Sequence, residues 1–271
     1  MEPRTAGAII GVLALCCLAF VLAAVYPGTT AEPHAAAPAE ERFTVGDADA
    51  DAYRASGRIV VDGEKRLAFD GVVTADGARY HSLQEAGVRS EQYQASPNAT
   101  VYERLEIDDA ADAERLKNQI LETEDRRLLS EESTTERVSL VVASNGTDVA
   151  DEIPGSASVI VRSLHVTRYE RVDGNSTETA VYEPQNGWYE GTQPYRITDA
   201  SGTVRTDAGT AAVESASVSW AVTDPAGSYA EYLLARLTGP DPRVYEISYE
   251  FVPGDSNLDR PAWVDDARDE S

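Results

Sequence analysis

Five side chains bound the chemistry open to this chain of 271 residues: the imidazoles of His34, His81 and His165 and the thiols of Cys16 and Cys17. Imidazoles and thiols are the usual general bases, nucleophiles and transition-metal ligands. No two of the histidines stand at an HxxxH-type spacing, and HExxH, GxSxG, the Walker loop and the dinucleotide fingerprint are all missing. His81 and His165 fall in apparent strands, where a lone histidine is a structural residue. His34 falls in a Pro- and Ala-rich stretch and reads as solvated. Carboxylates are abundant, so a glycosidase-like pair could be drawn from them, but no spacing selects one. Asp47, Asp49 and Asp51 alternate in GDADADA without the glycine and distal glutamate of a calcium loop, which makes them a solvated acidic segment. The sequence therefore predicts no catalytic residues, no metal site and no cofactor: a non-enzyme.

What remains is aromatic. Trp188 and Tyr189 follow an Asn186-Gly187 turn, Tyr195 and Trp220 come next, and Phe69 and Tyr249 lie on the apolar faces of predicted strands. On a curved sheet such rings can line an apolar cavity, and ordinary core packing is the competing role. Phe69, Trp188, Tyr195, Trp220 and Tyr249 are the candidate ligand-cavity residues.

These rings must be positioned outside the cytoplasm. Ala6 to Tyr26 is a nearly continuous apolar run, AGAIIGVLALCCLAFVLAAVY. At 1.5 Å per residue it makes about 31 Å of helix, the thickness of a bilayer core. Arg4 precedes it and no basic residue follows until Arg42, so the positive-inside rule puts the N-terminus in the cytoplasm and the remainder outside. A signal anchor (1–26) is the expectation. A cleaved signal peptide, or a lipoprotein signal using Cys16 or Cys17, would deliver the chain to the same side. Residues 27–42, PGTTAEPHAAAPAEER, have the composition of a flexible linker. A β-rich domain over 43–265 and an acidic tail over 266–271 complete the division. Asn98, Asn145 and Asn175 head three N-x-Thr sequons beside turn residues and are candidate glycosylation sites.

Charge narrows the partners. There are 23 basic and 47 acidic residues, a formal charge of −24, and only two of the basic residues are lysines. Such a chain repels nucleic acid and anionic headgroups. Molar salt, with a Debye length of about 3 Å, would screen its self-repulsion.

The elements read as mainly antiparallel β. Leu67, Phe69, Gly71 and Val73 alternate with less apolar neighbours. So do Val101, Leu105 and Ile107; Val138, Leu140 and Val142; Ala216, Val218, Trp220 and Val222; and Tyr245, Ile247, Tyr249 and Phe251. Asp62-Gly63, Asp76-Gly77 and Asn186-Gly187 supply turns. Asp108 to about Leu129 has the charge order of a helix. Residues 228–237 read as a second helix, with strand as the alternative. Ala55-Ser56-Gly57 and Ala200-Ser201-Gly202, each followed five residues later by Asp, reflect hairpin chemistry more than duplication.

The opening SGRIVVDGEKRLAFDGVV, the GTVRTD segment leading to VESASVSW, and the closing PAWVDDA give a pattern that resembles haloarchaeal membrane-anchored surface proteins of unknown function. Their shape is in turn similar to the LolA and LppX/LprG lipoprotein carriers. The resemblance covers most of residues 50–265. It implies an α+β fold: a strongly curved half-barrel sheet with one or two packed helices, preceded here by a transmembrane helix. It also implies an apolar cavity for acyl chains. The expected function is a membrane-anchored extracytoplasmic binding module for a lipid or other apolar ligand. The alternative is an envelope structural or interaction domain with envelope proteins as partners. A hydrolase is the least supported option.

Overall fold

The computed structural model describes residues 30–46, 50–145, 148–172, 178–190, 194–223, 229–254 and 256–269. Thirteen strands among them form one open, curved antiparallel sheet, accompanied by four α-helices. In chain order the elements are β1 (Tyr53–Val61), β2 (Glu64–Val73), β3 (Arg79–Glu85), β4 (Val88–Gln94), β5 (Val101–Ile107), α1 (Ala110–Glu122), β6 (Arg126–Ser133) and β7 (Val138–Ser144). There follow α2 (Glu152–Ser163), β8 (Tyr169–Arg171), β9 (Thr179–Pro184), β10 (Gly187–Tyr189), β11 (Tyr195–Asp207), β12 (Val213–Thr223), α3 (Tyr229–Thr238), β13 (Arg243–Pro253) and α4 (Ala262–Asp269). The order across the sheet is β6-β7-β5-β4-β3-β2-β1-β13-β12-β11-β9-β8, with β10 beside β11.

The alternation read from the sequence selects the covered face. Leu67 and Phe69 of β2, Ala216, Val218 and Trp220 of β12, and Ile247 and Tyr249 of β13 are all buried in one core. Helix α2 lies on that face and supplies Ile153, Ala157, Ile160 and Val161 to it. It rests on β1, β2, β3 and β13. Two strand glycines let it come close. A Cβ on Gly71 would stand 2.6 Å from Ile153 Cγ2, and one on Gly57 would stand 2.9 Å from Phe69 Cε1 and 3.0 Å from Ile160 Cγ1. A smaller core joins α1 to β5 and β7 through Ala113, Ile120, Leu105, Ile107, Leu140 and Val142.

Several expectations change. The first predicted helix is shorter: Asp109 caps it by accepting from the N–H groups of Ala111 and Asp112, and it ends at Glu122. Arg126 to Leu129 instead open edge strand β6, where Arg126 pairs with Glu103 and Leu128 packs on the smaller core. The second predicted helix stands, as α3. Helix α2 was not foreseen, because Pro154, Gly155 and a β-branched run read against it. Pro154 sits in its first turn, where the missing N–H has no intrahelical partner to lose. His165 lies in the 3₁₀ turn Leu164–Val166, not in a strand. The tail expected at 266–271 belongs in part to α4, which buries Val264 and Ala267.

The stretch expected as a linker is laid against the sheet over its described part. Ala31 donates its N–H to the carbonyl of Trp188 at 2.8 Å and bridges Tyr189 in parallel. His34 donates its N–H to the carbonyl of Thr167 at 2.9 Å. His34 is 8% exposed rather than solvated, its ring tilted against Phe43 at 4.2 Å within a cluster that includes His165, Tyr169 and Tyr182. Backbone hydrogen bonds and single rings hold the segment, and neither leaves an apolar period to read. Asn98, at φ 63°, and Asn145 are exposed. Asn175, Asp47 and Asp49 lie outside the described residues. So does the run 6–26; among the described residues no helix is long and apolar enough to cross a membrane.

Candidate functional site

Beyond the end of α2 the curved sheet is not filled. The cavity there, about 380 Å³, is lined by Ile59 of β1, Ser163 and Val166 at the exit of α2, Tyr195 of β11, Trp220 and Val222 of β12, and Tyr245 and Ile247 of β13. Its walls follow from pairing. Ile59 is opposite Ile247, Trp220 is opposite Tyr245, and Ile197 is opposite Val222, so residues of one pleat face meet along four neighbouring strands. Helix α2 ends at Ser163, and the chain continues through the 3₁₀ turn Leu164–Val166, which buries Leu164 in the core and borders the cavity with Val166.

The lining holds no carboxylate, imidazole or ammonium group. Two of its three hydroxyls are committed. Tyr195 donates to the carbonyl of Val166, and Ser163 donates to the carbonyl of Val159 at 2.9 Å. Burial, helped by neighbouring Tyr189, pushes the Tyr195 phenol up to about 12, so this group stays uncharged at neutral pH. Such a cavity suits apolar matter.

Of the five candidate rings, the fold brings Tyr195 and Trp220 together on this cavity. Phe69 and Tyr249 lie deeper under α2, ring centroids 6.4 Å apart, as core residues. Trp188 is buried on β10, edge-on to Tyr232 of α3 at 5.1 Å, with the Arg196 guanidinium 5.7 Å from its ring. Ile59, Val222, Tyr245 and Ile247 were not singled out, though three of them sit on strand faces the alternation had identified. Ser163 and Val166 were hidden with the helix that carries them.

None of the three histidines lines this cavity. His81 Nε2 lies 2.9 Å from Ser156 Oγ, a contact that elsewhere activates a serine. Both groups are buried between β3 and α2, which leaves no room for a substrate at Oγ. Burial lowers the His81 imidazole to about 4; burial and then nearby His165 lower His34 to about 4. His165 is also lowered, by burial first and Arg42 second. Among the described residues no group of three or more His, Cys, Asp or Glu is placed to hold a metal ion.

Compared with known proteins, the chain matches no family model, no curated protein and no solved structure.

Proposed function

We propose that this protein is a membrane-anchored extracytoplasmic binding module that holds an apolar ligand, of the acyl-chain class, in the cavity beneath Trp220. The observation that carries the reading is the wall itself. A void of about 380 Å³ whose lining holds no carboxylate, imidazole or ammonium group lies beside the stretch of the same sheet that α2 covers with a tight apolar core. Small-molecule sites run from about 300 to 1,000 Å³ and are mostly apolar. The anchor is residues 6–26, with the N-terminus in the cytoplasm, and the resemblance to LolA-type carriers agrees with an acyl ligand. Exposed Asn98 and Asn145 are available to glycosylation on that side.

The test is native mass spectrometry of the full chain, released into mild detergent at molar salt from its own membrane. The expected result is an added mass that extracts into organic solvent and is lost in Val222→Trp, which fills the cavity. An unliganded mass for the unaltered chain, repeated after incubation with membrane lipid extract, would sink the reading and leave an envelope interaction domain.

A further inference from the structure

Helix α3 carries an apolar face that no other described residue covers. Leu233, Leu234 and Leu237 are 38%, 61% and 83% exposed. At i, i+1 and i+4 they share one side of the helix. Single exposed leucines need no explanation, but three together on ten residues do. The helix is fixed from its other side, where Tyr232 packs on Trp188.

Trp188 is also where the N-terminal segment joins the domain. Its carbonyl accepts from Ala31, and Thr30 Oγ1 donates to Glu190 Oε1 at 2.8 Å. Thr30 lies only four steps along the chain from Tyr26, the end of the apolar run. Fully extended they span at most about 14 Å, little more than one helix diameter. The residue that α3 packs on is hydrogen-bonded to Ala31, one residue beyond Thr30, and so is held within about 20–25 Å of the point where residues 6–26 would leave the hydrocarbon.

We propose that the Leu233–Leu234–Leu237 face of α3 rests on the bilayer beside the anchor, as a second membrane contact at the cavity end of the domain. This rests on the anchor and the apolar-ligand site proposed above. The local charge suits it. Within Tyr229–Thr238 there is one acid, Glu231, and one base, Arg236, in a chain of net charge −24. The helix brings no basic cluster for anionic headgroups, so the contact is made by apolar insertion and strengthens with salt. Position gives it a use. Helix α3 is carried on the connection from β12 to β13, whose ends supply Val222 and Tyr245 to the cavity wall. An acyl chain drawn from the outer leaflet reaches the cavity without crossing water.

The experiment uses the full chain, with Cys16 and Cys17 replaced by serine, in phosphatidylcholine proteoliposomes at molar salt. An environment-sensitive fluorophore is placed at Leu234→Cys, at Leu237→Cys, or at Val252→Cys, an exposed position near the opposite end of β13. The expected result is quenching by lipids brominated in their acyl chains at least threefold stronger at 234 and 237 than at 252. Adding Leu233→Ser should weaken the quenching at 234 severalfold while the vesicles still float with the protein. Equal, weak quenching at all three positions on floating vesicles overturns the proposal and leaves the anchor intact. Failure of the chain to float overturns anchor and proposal together. Self-quenching between labels at 234, without lipid quenching, overturns it in favour of a second copy of the chain as occupant. Loss of the bound mass in native spectrometry, with quenching retained, removes the ligand site but not the contact.

Discussion

The close approach of α2 to the sheet makes a quantitative demand at Gly71. A methyl there would meet Cγ2, Cγ1 and Cδ1 of Ile153 at 2.6, 2.8 and 3.0 Å. Carbon atoms pack at about 3.5–4.0 Å, so the first turn of α2 would have to lift by about 1 Å. Ile153 is 1% exposed and has no free space to swing into. Overpacking of this kind costs about 1–3 kcal/mol. Against that, replacing glycine narrows the unfolded ensemble and returns about 0.4–1 kcal/mol. Gly71→Ala should therefore destabilise the protein by a net ~1–2 kcal/mol. Ile153→Ala alone should cost about 2–5 kcal/mol, because it empties a fully enclosed site. In the double variant the new methyl fills part of that void, so the two costs should fall short of additivity by at least ~1 kcal/mol. Urea unfolding of the four proteins at molar salt, followed by far-ultraviolet circular dichroism, measures the cycle. Additivity within about 0.5 kcal/mol would refute the reasoning, since it would mean that residues 71 and 153 do not touch.

Two further outcomes follow from buried rings. His34 and His81 keep imidazoles lowered to about 4, burial being the main cause, against an ordinary 6.5. Between those values the unfolded chain binds protons that the folded chain refuses, so their contribution is complete above pH 6.5 and lost as pH falls toward 4. Unfolding free energies from urea titration at pH 7 and pH 5 should differ by on the order of 2 kcal/mol for each of the two histidines, and His34→Phe, which keeps a ring in the cluster, should remove about half of the difference; an unchanged difference contradicts it. Phe43 packs against His34, His165, Tyr169 and Tyr182. Phe43→Ala should cost about 3–5 kcal/mol and release residues 30–46 from the sheet, seen as faster amide exchange at Ala31 and His34 with β1 and β2 unchanged.

The strands were legible because each side of the sheet imposes its own polarity. Tyr245, Ile247, Tyr249 and Phe251 could be assigned to one face before any pairing was known, and all four pack into the main core. Asp62-Gly63 was legible as a turn because two consecutive positive φ values, 53° and 79°, favour that dipeptide. Ala86-Gly87 makes a similar turn, φ 47° and 81°, with a residue that does not advertise it. The repeat of Ala-Ser-Gly proved to be two different devices. Gly57 makes room for Phe69 and Ile160, while Gly202 takes φ +97° against the backbone of Ser217. Helix α2 was illegible because its sequence satisfies strand preferences locally, and the sheet face that decides the matter is assembled from residues more than sixty positions away on either side. With α2 went Ser163 and Val166, and so the outline of the cavity. The packing of residues 30–46 was missed for a related reason: a segment held by backbone hydrogen bonds and two rings carries the composition of a spacer.

The place of β1 in the sheet has a consequence for how the protein comes into being. Its residues 53–61 pair on one side with β2, a two-residue turn away, and on the other with residues 245–253 of β13. The first strand made is thus a central one, and its second neighbour is the last strand made. At roughly 5–20 residues per second, the 192 residues between Tyr53 and Tyr245 take on the order of 10–40 s to emerge. Throughout that interval the β1 edge of the growing meander stands open, bearing the apolar Ala55, Ile59 and Val61 beside unsatisfied backbone groups. Until β13 arrives the nascent domain must be kept from other chains, and a chain cut short before residue 245 would keep that edge for good. The burden falls on the period of synthesis: the sheet closes its centre only once residues 245–253 have been made and have docked on β1.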